Sequence, residues 1–316
     1  MEAIHAIRQS PETHDLKRDL APFLRHKSNH VAAAAAALAE QREATDLAPD
    51  LVQAFEKLMR DPAKLDPGCK AATAIVQALV QLEDPAVKVY FAGIRHVQME
   101  PSFGPPVDAA APLRGLCARG LARTGHPDAL FECVTLLADP EIAARTGAIQ
   151  AVADAGRRDG ILLLRPKALL GDKEIEVTGE CLGALLSLDP AGSIDFVARF
   201  LDSPIEGLSD QAALALGESR LPAAFEVLRA AWERGGLSEQ RRTLLVAIAM
   251  LRIDQALEFL LGRVAEESGP VAADALAGLA FYARDEAILR RVEEIISLRA
   301  DSALEAIFAR EFARQP

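Results

Sequence analysis

In the second half of this 316-residue chain, apolar positions follow a helical spacing inside units that themselves recur. Val152, Leu185, Leu216, Ile248 and Leu279 hold one aliphatic slot, 31 to 33 residues apart. The residue before each is Ala151, Ala184, Ala215, Ala247 or Gly278, small enough to let a neighbouring helix come close. A period in this range predicts stacked supersecondary units that bury their apolar faces against one another. Segment 129–156 shows the unit most clearly. Leu130, Cys133, Val134 and Leu137 fall at i, i+3, i+4 and i+7, which predicts one buried stripe on a first helix. Asp139-Pro140 predicts the N-cap and first position of a second helix. That helix runs through Ala144, Ala148, Ala151, Val152 and Ala155, and Gly156 ends it.

The next unit repeats this grammar, with 169–175 (LLGDKEI) matching 136–142 (LLADPEI). Further first helices are predicted near 194–201, 225–232, 257–264 and 288–298, each followed by a partner, with turns at Asp189-Pro190, Ser203-Pro204, Leu221-Pro222, Gly235-Gly236 and Gly269-Pro270. The first 125 residues fit more loosely. Leu38, Leu79 and Leu121 are the anchors, preceded by Ala37, Ala78 and Gly120, and the extra length goes into insertions at 61–68 and 100–112. The reading is all-α: a right-handed α-solenoid, or superhelix, of about nine helix hairpins. It comprises an N-terminal tail (1–14), looser repeats (15–127) and regular repeats (128–316), expected to form one continuous array.

Composition narrows the function. Only 5% of residues are aromatic and alanine runs such as 31–39 are frequent, which favours close-packed helices over a β-sandwich. A formal net charge of -11 repels phosphate backbones and anionic bilayers, so neither nucleic acid nor membrane is expected as a partner. The N-terminal residues lack an apolar targeting core and no later stretch is long and apolar enough to span a bilayer, so a cytoplasmic location is expected. Cys69, Cys117, Cys133 and Cys181 show no metal or redox spacing; Cys117 and Cys181 share a slot with Ala148, Ala212 and Ala275 and read as small core residues.

These turns carry a resemblance. The chain resembles HEAT-repeat proteins, and most of all the short bacterial HEAT-like repeats of phycobilin lyase subunits. Those repeats pair an Asp at the turn with an Arg six residues on, as Asp139 with Arg145 and Asp108 with Arg114 do here; Asp172 with Thr178 and Ser203 with Ser209 depart from it. The resemblance implies a solenoid fold. It also implies one functional alternative, an accessory or lyase-like subunit handling a prosthetic group for a client protein, with a groove floored by an acid or a cysteine. The iron-binding hydroxylases built on similar repeats carry His-Glu dipeptides, which this chain lacks.

No catalytic motif is present: no phosphate-binding glycine loop, no nucleophile elbow, no paired histidines on one helix. No catalytic residue, metal or cofactor is therefore expected. The expected function is a non-enzymatic scaffold that binds a protein or peptide on the second-helix surface opposite the buried stripe. There the candidate residues are Arg119, Gln150, Asp210, Leu214, Arg242 and Val246, with Leu214 and Val246 as an apolar strip. Phe103, in the proline-rich insertion, is the loop candidate. A nucleic-acid repair module is the weaker alternative, because only Arg119 and Arg242 supply positive charge on that face.

Overall fold

The structure is a computed structural model and describes residues 2–9, 15–235 and 238–312. It divides into two compact units, one ending at Leu163 and the other beginning at Leu164. In the first unit the helices are α1 (Glu2–Gln9), α2 (Leu16–Leu24), α3 (Asn29–Gln41), α4 (Ala48–Leu58), α5 (Pro62–Leu65), α6 (Lys70–Gln81), α7 (Val87–Ile94), α8 (Ala111–Arg123), α9 (Ala129–Leu136) and α10 (Ile142–Asp154). Two short strands, β1 (Met99–Glu100) and β2 (Val107–Asp108), form an antiparallel hairpin between α7 and α8. The boundary falls inside α11 (Ile161–Leu170). Beyond it lie α12 (Ile175–Leu188), α13 (Pro190–Ala198), α14 (Leu208–Glu218), α15 (Pro222–Glu233), α16 (Ser238–Met250), α17 (Asp254–Glu266), α18 (Pro270–Leu279), α19 (Glu286–Arg299) and α20 (Ser302–Glu311).

Each unit is two layers of helices. In the first, α3, α6, α8 and α10 pack in sequence as second helices, with α2, α4, α7 and α9 packed against them as first helices. In the second unit α12, α14, α16, α18 and α20 make the equivalent row, and α13, α15, α17 and α19 the other layer. Neither layer has an apolar face that could remain in water, so each hairpin is stable only against its neighbours. The interior second helices are buried over much of their surface. In α10 only Ala143, Thr146, Gln150, Ala153 and Asp154 are half-buried and Ile142 exposed; the rest is buried.

Small residues set the distance between second helices, as the repeat predicts. A Cβ at Gly147 would lie 2.3 Å from the Cα of Gly115, and one at Gly217 would lie 2.5 Å from the carbonyl oxygen of Ala247. Backbones in such contact cannot take a larger residue without moving apart. The residues before the anchors at 79, 121, 152, 185, 216, 248 and 279 are all buried, but Ala37 is exposed while Leu38 and Ala39 are buried. The first repeat is thus registered one residue later than its sequence suggests.

Other expectations need correction. Val134 is 49% exposed, and Leu136 takes its place in the buried stripe of α9. Asp139 does not cap α10, which begins at Ile142; its carboxylate accepts from the Glu141 N–H (2.9 Å) and from Arg114 of the preceding hairpin. The expected tail contains α1, with Ile4 buried; residues 10–14 lie outside the described residues. The insertion at 61–68 holds α5 and a 3₁₀ turn over Pro67–Cys69.

Candidate functional site

The insertion expected at 100–112 is a projection with a rigid root. At that root Asp66, fully buried, accepts from the N–H groups of Ala71 (2.9 Å) and Ala72 (2.8 Å) at the start of α6, and from the Asn29 side chain (2.9 Å). Gln98 donates to the Asp66 carbonyl (3.0 Å) and to Glu100 (2.6 Å), and Glu100 also accepts from the Gly68 N–H (2.7 Å). Asp108 accepts from the N–H groups of Gln98 and Ala110, both at 3.0 Å, and from Arg114 at 2.6 Å. The other side of the Arg114 guanidinium forks onto Asp139 at 2.9 and 3.0 Å, and the Arg114 Nη1 reaches the His96 carbonyl at 2.9 Å.

Arg114 and Asp108 are nearly inaccessible, with side chains 3% and 5% exposed. Burial pushes the Asp108 carboxyl up, but the two N–H groups and the guanidinium outweigh it and hold it below its ordinary value. For Arg114 burial works against the cation, and its two carboxylates win, so its pKa is raised. Glu100 is likewise held low, chiefly by Gln98 and then by the Gly68 N–H. Out of this root the hairpin presents Val97, Met99, Phe103 and Val107 to solvent, with Phe103 wholly exposed (116%). Single exposed apolar residues are ordinary; four on one short projection are not.

The second-helix face of the first unit carries Arg119 and Gln150, both half-buried. Arg119 is engaged: its Nε donates to Asp154 of the next hairpin at 2.9 Å, and Arg123 donates to the same carboxylate oxygen at 3.2 Å. In the second unit Leu214 on α14 and Val246 on α16 occupy matching positions of adjacent helices, but both are half-buried, so the apolar strip is shallower than expected. Asp210 is half-buried with one carboxylate oxygen buried and unpartnered. Arg242, 66% exposed, stands 3.6 Å from Asp274. Gly115 and Gly179, one slot away from these faces, are buried at helix contacts, against Gly147 and Gln211 respectively.

One feature of the first unit had no signal in the sequence beyond the Glu83-Asp84-Pro85 turn. The C-terminal ends of α6, α8 and α10 converge on a cleft of about 570 Å³ lined by Val80, Glu83, Asp84, Pro85, Tyr90, Gly120, Arg123, Thr124 and Asp154. Tyr90 donates to the Asp84 carbonyl at 2.7 Å, and its ring fits because position 120 has no side chain: a Cβ there would lie 2.5 Å from it.

All four cysteines are buried and unpaired. Burial pushes the thiols of Cys69, Cys133 and Cys181 up to about 12, and Cys117 well above its usual value. None is a nucleophile at neutral pH. Among the described residues no group of three or more His, Cys, Asp or Glu could hold a metal ion, and no helix is long and apolar enough to cross a membrane.

The fold defines a class: this is an all-α protein of stacked helix-hairpin repeats. No family model matches the chain, and no curated protein does. Among solved structures it is similar to the complex of CpcE and CpcF of phycocyanin lyase from Nostoc sp. PCC7120, at 16% identity over 92% of this chain and 96% of that one, with a TM-score of 0.38. It is similar also to an engineered protein, at 16% identity over 99% and 90% of the two chains, TM-score 0.37. At these identities and TM-scores neither likeness transfers an activity.

Proposed function

We propose that this protein is a non-enzymatic interaction subunit that holds another protein or a peptide, with the β-hairpin as a primary contact. The observation that supports this most directly is the pairing of a buried, fully hydrogen-bonded root with four exposed apolar side chains at 97, 99, 103 and 107. A rigid mount lowers the entropy lost when those side chains are covered. Exposed Phe and Met are also the residue types enriched at interfaces. The half-buried residues Leu214 and Val246, with Asp210 and Arg242 beside them, form a second contact face in the other unit; Arg119 and Gln150 line the corresponding face of the first.

The test is affinity capture from the native cell extract with wild type, Phe103→Asp plus Val107→Asp, and Leu214→Asp plus Val246→Asp. A specific partner captured by wild type and lost with the hairpin variant supports the reading. Equal recovery with both variants would sink it.

A second reading, handling of a prosthetic group for a client protein, is favoured by the cleft at the ends of α6, α8 and α10, whose lining includes the acids Glu83, Asp84 and Asp154. The cysteine form of that reading is disfavoured because every cysteine is buried. Incubation of the isolated protein with a linear tetrapyrrole, followed by absorption spectroscopy after gel filtration, tests it: a co-eluting chromophore supports it, and a colourless protein refutes it.

A further inference from the structure

The cleft between the ends of α6, α8 and α10 has two electrically distinct walls. On one, Asp84 is half-buried and its carboxylate makes no hydrogen bond or ion pair among the described residues; Glu83 stands beside it, exposed, on a left-handed backbone (φ 54°). On the other, two guanidiniums share one carboxylate: Arg119 and Arg123 both donate through Nε to the same oxygen of Asp154. The terminal nitrogens of Arg123 have no partner among the described residues, and its side chain is 35% exposed. The first wall therefore carries uncompensated negative charge and the second uncompensated positive charge.

The walls face a common centre. Tyr90 lines the cleft with both, and although burial is the largest effect on its phenol, the Asp84 charge also raises its pKa and Arg123 lowers it. Yet Asp84 and Arg123 form no ion pair with each other. Opposite charges that line one cleft stay separate where the fold restrains each of them. Here it does: Arg123 is restrained by Asp154, and the Asp84 backbone is pinned by its N–H donating to the Leu79 carbonyl (3.0 Å) and its carbonyl accepting from Tyr90. Tyr90, Val80 and Pro85 line the same cleft and offer apolar surface to an aliphatic spacer.

The geometry points to a binding site for a small bipolar molecule, an amine joined by a short aliphatic spacer to a carboxylate, with its ammonium on Asp84 and Glu83 and its carboxylate on the free nitrogens of Arg123. Burial raises the Asp84 carboxyl above its ordinary value, and an ammonium placed against it would oppose that shift. The site is separate from the hairpin and from the Leu214–Val246 face; it occupies the cleft of the second reading and touches the first unit's face only through the Arg119–Asp154 pair. Loss of partner capture would leave it intact, and its failure would leave the partner reading intact.

The experiment is isothermal titration of the full chain with 4-aminobutanoate and 6-aminohexanoate as bipolar probes, and with hexylamine and hexanoate as the two halves. At least one bipolar probe binds saturably, about tenfold or more tighter than either half. Asp84→Asn abolishes the advantage over hexanoate, and Arg123→Gln the advantage over hexylamine, with circular dichroism confirming that each variant is folded. No saturable binding of either bipolar probe at millimolar concentration would overturn the proposal. So would binding that both folded variants retain unchanged, or hexylamine binding as tightly as the bipolar probes, which would make the cleft a plain cation site.

Discussion

The same substitution, glycine to alanine, should have opposite signs at two places in the second unit. At Gly217 a new Cβ would lie 2.5 Å from the Ala247 carbonyl oxygen, 2.8 Å from its Cα and 3.0 Å from its carbonyl carbon. All three are backbone atoms of α16 and cannot rotate away. Relief requires α14 and α16 to separate along a row in which α12, α14, α16 and α18 are packed without gaps. Overpacking of this kind costs ~1–3 kcal/mol, of which a gain in helix propensity returns no more than ~1. At Gly183 on α12 nothing lies within 4 Å of the new Cβ, so only the propensity gain remains and the variant should be more stable by ~0.5–1 kcal/mol. The readout is urea unfolding followed by fluorescence of Trp232, the single tryptophan of the chain and a residue of this unit. The Gly217→Ala midpoint should fall and the Gly183→Ala midpoint rise. Two upward shifts would refute the claim that backbone contact between second helices sets their spacing.

Other expectations follow from the hairpin root and the thiols. Arg114→Ala leaves Asp108 and Asp139 buried without their cation and should cost about 3–5 kcal/mol, seen as a lower thermal midpoint of the first unit by circular dichroism. Because the folded-state pKa of Asp108 is depressed, its contribution is complete above the unfolded value of about 3.9 and is lost as pH falls through the folded one. The acid side of the stability profile should therefore flatten in Asp108→Asn, measured by denaturant midpoints across the acidic range. The four cysteines should resist a thiol reagent in the native protein at neutral pH and all react in urea; rapid native labelling would contradict their burial. Phe103→Ala should change the unfolding free energy by less than about 0.5 kcal/mol, since the ring touches solvent alone, whereas partner capture should fall.

The architecture was legible where a small residue and an aliphatic one alternate against a polar background, as at Ala215-Leu216 and Ala247-Ile248, because only buried helix contacts demand that pair. It misled where contrast was lacking. The run 31–39 is almost all alanine, so any register looks alike, and the frame of the first repeat slipped by one. Val134 fits a helical stripe, yet the buried stripe of α9 runs through Leu130, Cys133 and Leu136 and leaves position 134 exposed. The hairpin carried no periodic signal because its strands are two residues long, although the spacing of Asp108 and Arg114 did mark the ion pair that roots it. The exposure of Phe103 was legible because an aromatic among prolines has no core to join. The cleft could not be read, since its walls come from the ends of three helices and from a carboxylate, Asp84, whose only distinction is a missing partner.

The two carboxylates at the foot of the hairpin also open helices: Asp66 receives the first N–H groups of α6, and Asp108 that of Ala110, the residue preceding α8. Whatever happens between residues 101 and 106 is therefore insulated from the repeats by bonds that belong to the helices themselves. Those six positions should tolerate exchange with little effect on the helices, which the unfolding midpoint of a loop-swapped variant would read.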